Sequence, residues 1–319
     1  MAEAISETIG PSQAEAIASW KLYFGLSRTA HAILDSMTPA MAALLCLGHF
    51  PPALIVVIGL ITAFAGYTAV YALNDLVDHR IDRERLALDD RPEGMFDVDQ
   101  VVARHPVAQG MLTFKQGLIW CGAWATVALI GAWWLNPVCA FFFVLSGVLE
   151  GIYCKLLRVT HLKIIPSVIV KCIGGLVGVL AVDPSPSLGF LALLIIWLAA
   201  WEVGGQNIVN DIVDMEEDSR VSARTTLTVK GVQEAVFRVI AACSIAAISG
   251  VAIYWVAGRG VGWLYPFGAL VLGWILLLEP ARRLYYEPGR AAAASLFNKA
   301  SYMPASFLAL TFVSLYVSW

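Results

Sequence analysis

The 319-residue chain is 59% hydrophobic and only 14% Asp, Glu, Lys and Arg, with a net charge of −3 and a mean hydropathy of +0.73. Soluble domains carry nearer ~25% charged residues, and one water-soluble core cannot absorb this surplus of apolar surface. The composition points to a polytopic membrane protein, and the faintly acidic balance excludes the basic footprint that a nucleic-acid partner needs.

Residues 1–20 contain Glu3, Glu7 and Glu15 and no basic segment followed by an apolar one, so they do not read as a signal peptide. Apolar runs then fall near 30–50, 53–73, 117–135, 137–153, 164–182, 188–209, 235–257, 263–279 and 303–319. At about 20 residues per crossing, nine spans use roughly 180 residues. The runs are too long for barrel strands, so the expected class is all-α, with residues 1–319 as a single integral-membrane domain. His31 and Asp35 interrupt the first run, and Pro39 predicts a kink in it. Asn136-Pro137 predicts a tight helical hairpin, while Gly174, Gly175 and Gly178 favour close helix packing. The six cysteines form no CxxC pair and no cluster with histidine, which leaves them as small apolar fillers.

The polar stretches are unequal. Long ones cover 74–116 and 210–234, shorter ones 154–163 and 280–302, and the remaining links are minimal. Nine spans starting from the cytoplasm place every long stretch inside. Lys155, Arg158, Lys163, Arg220, Arg224, Lys230, Arg282, Arg283 and Arg290 then lie inside, against Arg259 alone in the outer links. That asymmetry fits the positive-inside rule and predicts an inner N-terminus, an outer C-terminus and functional loops facing the cytoplasm.

The second run ends in Asn74-Asp75-Leu76-Val77-Asp78-His79-Arg80-Ile81-Asp82, and the pattern NDxxDxxxD recurs in Asn210-Asp211-Ile212-Val213-Asp214-Met215-Glu216-Glu217-Asp218 after the sixth. On a helix, Asn74, Asp78 and Asp82 form one polar ladder and Asn210, Asp214 and Asp218 another, with Asp75 and Asp211 beside them. Carboxylates crowded this way repel one another unless a cation compensates. Mg²⁺ suits the role, because it joins a few carboxylates to substrate phosphates. Neither copy has EF-hand spacing, which argues against a calcium sensor.

Basic residues that could meet phosphate oxygens are Arg80, Arg83 and Arg85, Arg104 in the turn Arg104–Gly110, and Lys155 and Arg158 on the next inner connection. Lys171 lies within the fifth apolar run, where an ammonium needs a polar cavity or partner. Glu150, Glu202 and Asn207 raise the same question, and together these groups suggest a polar vestibule reaching into the membrane. A phosphorylated head at the interface with an apolar remainder among the helices describes an isoprenyl diphosphate. Tyr67, Tyr71, Tyr153 and Trp201 are candidate lining residues for the allylic cation formed when its C–O bond breaks.

On these motifs the chain resembles the UbiA superfamily of intramembrane prenyltransferases over essentially its whole length. Asn74–Asp82 and Asn210–Asp218 look like the family's two Asp-rich motifs. Tyr153, Lys155, Arg158 and Thr160 resemble its basic connection after the fourth span, and Arg104–Gly110 its basic-Pro-Leu-x-x-Gly segment. The resemblance implies nine helices around a central cavity. It also implies Mg²⁺ held by Asp78, Asp82, Asp214 and Asp218, and a diphosphate supported by Asn74, Asp75, Asn210, Asp211, Arg104, Lys155, Arg158 and Lys171. The implied reaction is transfer of a prenyl group to an aromatic or quinone-precursor acceptor. A sugar-phosphate or glycerol-lipid acceptor and a terpene cyclisation are alternatives within the superfamily, and a cation-coupled transporter is one outside it. The acidic link 86–100 departs from the family pattern and reads as a lid or a surface insertion, and the first span lacks the Arg-Pro pair of quinone-pathway members.

Overall fold

The computed structural model describes residues 19–87 and 103–317. Among these residues every regular element is helical, and nine segments are long and apolar enough to cross a membrane: Thr29–Leu47, Ala53–Leu86, Phe114–Leu135, Pro137–Leu156, His161–Leu180, Leu188–Val213, Val232–Trp255, Leu264–Tyr286 and Arg290–Val317. The acidic link lies outside the described residues from position 88 to its end.

A short helix α1 (Ser19–Leu26) precedes α2 (Thr29–Leu47), which carries Pro39 in its interior without ending there. The next helix, α3 (Ala53–Leu86), runs 34 residues and does not stop at the membrane boundary expected near 73. Its apolar first half continues into the polar ladder as one rod, so the first acidic motif is rigidly attached to a span. The Thr113–Gln116 capping box opens α4 (Phe114–Leu135), Thr113 Oγ1 accepting from the Gln116 amide at 3.2 Å. The expected hairpin follows: the Asn136 side chain accepts from the Val138 amide at 3.0 Å and Pro137 occupies the first turn of α5 (Pro137–Leu156).

After α6 (Ile164–Leu180), the chain crosses again as α7 (Leu188–Trp201), passes through one wide π turn at Glu202–Asn207 and continues as α8 (Ile208–Val213). The second acidic motif is therefore bent where the first is straight. Asp214, at φ −93° and ψ 12°, separates α8 from α9 (Met215–Arg220). Beyond α10 (Thr226–Lys230) and α11 (Val232–Ala252), the eighth crossing comprises α12 (Leu264–Gly273), a π turn and α13 (Glu279–Tyr286). The ninth joins α14 (Arg290–Ser301) to α15 (Met303–Val317), so residues 290–302, expected in a loop, are helical.

Lipid-facing surfaces are visible as exposed Leu54, Val57, Ile61, Ile119, Ile130, Phe141 and Ile248. The densest core lies among α7, α11, α12 and α15, where Trp197, Tyr265 and Phe307 are fully buried and the Trp197 and Phe307 rings sit 4.8 Å apart. Small residues set close approaches at the helix crossings. A Cβ added to Gly178 of α6 would overlap the Pro39 backbone of α2. Gly178→Val should therefore cost about 1–3 kcal/mol through overpacking, read as a lower thermal-unfolding midpoint in detergent. An unchanged midpoint would show that α2 and α6 do not pack this closely.

Candidate functional site

Helical periodicity turns one face of α3 into a polar wall: Tyr71, Asn74, Asp75, Asp78 and Asp82 face a common cavity, followed one turn later by Arg85. The opposite wall comes from the π turn, α8 and α9, which present Glu202, Asn207, Asn210, Asp211, Asp214 and Asp218 to that cavity. The π turn re-aims successive polar side chains inward at the point where the span leaves the core. The two acidic motifs, far apart in sequence, thus line one space.

Cationic side chains tie the walls together. Arg85 forms an ion pair with Asp218 of the second motif and lies 3.6 Å from Asp82 of its own. The neighbouring loop residues Arg104 and His105 divide their bonds in the same way. Arg104 Nη2 donates to Glu217 Oε2 at 2.8 Å, while His105 Nδ1 sits 2.5 Å from Asp75 Oδ1 and 3.1 Å from Asp82 Oδ2. Burial opposes a charge on the His105 imidazole, but Asp82 and Asp75 outweigh it and hold its pKa above the usual value. A third bridge enters from the fifth crossing, where Lys163 Nζ bonds Asp211 Oδ1 at 3.1 Å and Tyr153 Oη at 3.3 Å. Burial pushes the Asp218 carboxyl up to about 7 even with Arg85 beside it, and the Asp214 and Asp211 charges add to the rise.

Deeper among the spans lies a second polar group. Lys171 Nζ is 2.6 Å from Asp35 Oδ2 and 3.7 Å from Glu202 Oε2, and 4.7 Å from the centre of the Trp201 ring. Tyr71 donates to Asp35 at 2.7 Å, Ser167 to Glu202 at 2.6 Å, and Asn207 to Ser167 at 3.2 Å. Arg28 reaches Asn74 Oδ1 at 3.1 Å, and Asn74 donates to Glu150 at 2.6 Å. Arg28 and His105 both line the cavity in the left-handed backbone region, at φ 43° and 49°. Such conformations cost of order 1–3 kcal/mol and persist where the surroundings enforce them.

Beyond this group the lining changes character. An apolar chamber of ≈ 390 Å³ extends between α2, α3, α4, α5 and α6, bordered by Ala43, Ile55, Ala63, Phe143, Ile173 and Val177 among others. Tyr67, Val70 and Val170 belong to both linings. A polar head and an apolar tail therefore have adjoining compartments.

Of the residues singled out in the sequence, Asn74, Asp75, Asp78, Asp82, Asn210, Asp211, Asp214, Asp218, Arg104, Lys171, Tyr67, Tyr71, Tyr153 and Asn207 line the polar cavity. Three do not. Lys155 points outward and is exposed. Arg158, about 40% exposed at its side chain, pairs with Glu84 and donates to the Val221 carbonyl at 2.8 Å, bracing the outside of both motifs. Trp201 is fully buried behind Lys171, its Nε1 donating to the Ala300 carbonyl at 3.0 Å. Arg85, one of the basic candidates beside the first ladder, also lines the cavity, as do His31, Asp35, His105 and Lys163, which the motifs did not mark as site residues. A signal for Lys163 was present: Lys163, Ser167 and Lys171 repeat at i, i+4 and i+8 and share one helix face.

The donor set suits a hard divalent cation. Asp75 Oδ2 is buried without a hydrogen-bond partner, and ligand atoms of Asp75, Asp82 and His105 lie within 4.8 Å of one another. His105 Nδ1 is engaged by Asp75 Oδ1 at 2.5 Å and by Asp82 Oδ2 at 3.1 Å. That leaves carboxylate and amide oxygens, the ligands that Mg²⁺ prefers.

The sequence pattern of the UbiA prenyltransferase family matches residues 36–308. No curated protein sequence gives a significant match. Among solved structures, the apo form of a UbiA homologue from Aeropyrum pernix K1 superposes with a TM-score of 0.66 at 17% identity, over 89% of this chain and 97% of that one. A UbiA homologue from Archaeoglobus fulgidus bound to GPP and Mg²⁺ gives 0.64 at 14% identity, over 92% and 99%. A structure of digeranylgeranylglyceryl phosphate synthase gives 0.64 at 17% identity, over 93% and 98%.

The bridging geometry separates residues that composition alone treats alike. Arg85→Ala leaves Asp218 and Asp82 without their shared cation and should destabilise the folded protein by about 3–5 kcal/mol. Lys155→Ala, at an exposed site, should stay within about 0.5 kcal/mol of the parent. Thermal unfolding of both variants in one detergent checks the contrast, and equal midpoints would contradict it.

Proposed function

The chain belongs to the UbiA prenyltransferase family, and from that premise we propose an Mg²⁺-dependent transfer of a prenyl group from an isoprenyl diphosphate to a small aromatic or lipid-pathway acceptor. The observation that carries this reading is the meeting of both acidic motifs, joined through Arg85, in one cavity that shares Tyr67, Val70 and Val170 with an adjoining apolar chamber.

In this reading Asp78, Asp82, Asp214 and Asp218 hold the metal, directly or through water. Bound there, Mg²⁺ neutralises the diphosphate and the charge that develops on it as the allylic C–O bond breaks. Asn210 orients a carboxylate of its ladder, Nδ2 donating to Asp214 Oδ2 at 3.2 Å, and Asn74, held by Arg28 and donating to Glu150, supports the diphosphate. Asp75 and Asp211 stand behind the ladders, fixed by His105 and Lys163 respectively. Lys163 and Arg104 add fixed positive charge beside the phosphate position. The tail lies in the apolar chamber, so the reacting carbon passes the rim of Tyr67, Val70 and Val170. Tyr67, Tyr71 and Tyr153 line the cavity in which an allylic cation would form, in surroundings with few competing water molecules.

The basic residues of the motif-bearing end set the proposed orientation. Arg158, Lys163, Arg224 and Arg290 cluster around the two motifs, and Arg290 Nε donates to the Val213 carbonyl at 2.7 Å. Arg259 belongs to the opposite end, where Gly258 bonds the Leu45 carbonyl at 2.8 Å. The active site then faces the cytoplasm, with the N-terminus inside and the C-terminus outside.

Asp78→Asn and Asp214→Asn each keep side-chain size and remove a charge at the proposed metal position. Each should lower prenyl turnover by about a hundredfold or more while the protein still elutes as one folded species. Turnover is read as Mg²⁺-dependent release of diphosphate from a panel of prenyl diphosphates with candidate acceptors. Near-normal turnover in both variants at limiting Mg²⁺ would overturn the assignment.

A further inference from the structure

The membrane-embedded half of the polar cavity is built unlike the half that holds the acidic motifs. It draws His31 and Asp35 from α2, Tyr67 and Tyr71 from α3, Ser167 and Lys171 from α6, and Glu202 and Asn207 from the π turn. Most of its polar atoms are already bonded to one another. Asp35 Oδ1, Asn207 Oδ1 and Tyr67 Oη are buried without a hydrogen-bond partner, with His31 Nε2 3.8 Å from Asp35 Oδ1. Asp35 is 1% exposed and Asn207 7%. Leaving such atoms unpaired costs about 1–3 kcal/mol each, so they mark where a ligand's polar groups go.

We infer that this deep half is the acceptor site and that it selects an uncharged, hydroxyl-bearing molecule over a carboxylate, with Asp35 and Glu202 as the specificity-determining residues. The inference rests on the prenyl-transfer reading above. Two of the unpaired atoms are oxygens that only accept, which calls for a donor on the ligand. Tyr67 Oη, which can donate or accept, sits on the rim shared with the apolar chamber. A hydroxyl held there lies beside the path of the prenyl tail. Charge excludes the alternative ligand. Lys171 is committed to Asp35 at 2.6 Å and approaches Glu202 at 3.7 Å, His31 Nε2 faces Asp35 Oδ1 at 3.8 Å and Arg28 is bonded to Asn74 at 3.1 Å, so an incoming carboxylate meets two like charges whose neighbouring cations are already engaged. Discrimination by repulsion as well as by attraction is the usual basis of selective sites.

The test uses the purified full chain loaded with Mg²⁺ and geranyl thiodiphosphate, a donor analogue that reacts slowly. Methyl 4-hydroxybenzoate, 4-hydroxybenzoate and methyl benzoate serve as probes; the first two differ in charge, and the third lacks the hydroxyl. Binding is measured by calorimetry. The neutral phenol should bind at least about tenfold more tightly than either other probe, a difference of ~1.4 kcal/mol. In the double variant Asp35→Asn/Glu202→Gln, Lys171 loses both partners and the preference should reverse toward the carboxylate. Equal binding of the three probes, binding of none, or an unreversed preference in a variant that still binds the donor analogue would overturn the inference. Failure of the parent protein to bind the donor analogue would instead overturn the prenyl-transfer reading itself. Because the reversal is a gain of binding, misfolding cannot imitate it.

Discussion

Concentrated negative charge inside an apolar bundle is the constraint around which this molecule is organised. Among the described residues, nine carboxylates line the polar cavity against five lysines and arginines, His31 and His105. Like charges at such spacing raise one another's free energy, and water is scarce among helices that expose hydrocarbon outward. The protein answers with shared cations: Arg85 between Asp82 and Asp218, Lys163 on Asp211, Lys171 between Asp35 and Glu202. Each brings together elements distant in sequence, so the same contacts that contain the charge also close the site. The remaining negative excess is what a divalent cation would offset.

Rigid attachment makes this arrangement useful for chemistry. The first motif rides on α3, which extends unbroken from the apolar chamber to Leu86. Head and tail compartments are therefore set by one helix, with Tyr67 and Val70 at their boundary. The second motif reaches the same cavity through a wide turn at Glu202–Asn207 and a bend at Asp214. Gly204 in that turn permits it: a Cβ there would lie 2.8 Å from the Cys243 backbone nitrogen of α11. Neighbouring loop residues Arg104 and His105, the latter with left-handed backbone, then fasten one motif each.

Periodicity made much of this legible before any coordinates. Nine apolar runs match the nine membrane-length helices among the described residues, because a span must satisfy its own backbone and so declares itself by length. The duplicated NDxxDxxxD pattern marked both walls, because three polar residues spaced by four must share a face of a helix. Less legible were groups whose partners come from elsewhere. Lys155 and Arg158 followed the motif pattern, yet helical rotation leaves Lys155 outward and Glu84 engages Arg158. Asp35 registered as an interruption in a span, since nothing local reveals that Lys171, distant in sequence, neutralises it. Neither π turn has a sequence signature comparable to a cap or a proline. Trp201 has the right composition for a cavity and the wrong rotation, its indole turned to the Ala300 carbonyl.

The account depends on both acidic motifs gripping one diphosphate, and a double-mutant cycle measures that joint grip. Mg²⁺-dependent affinity for inorganic diphosphate would be determined for the parent, Asp78→Asn, Asp214→Asn and the combined variant. If one ligand bridges the two walls, the losses are non-additive, with a coupling energy of about 1 kcal/mol or more. Losses that simply add would mean that Asp78 and Asp214 act on separate ligands, and the shared site would be wrong.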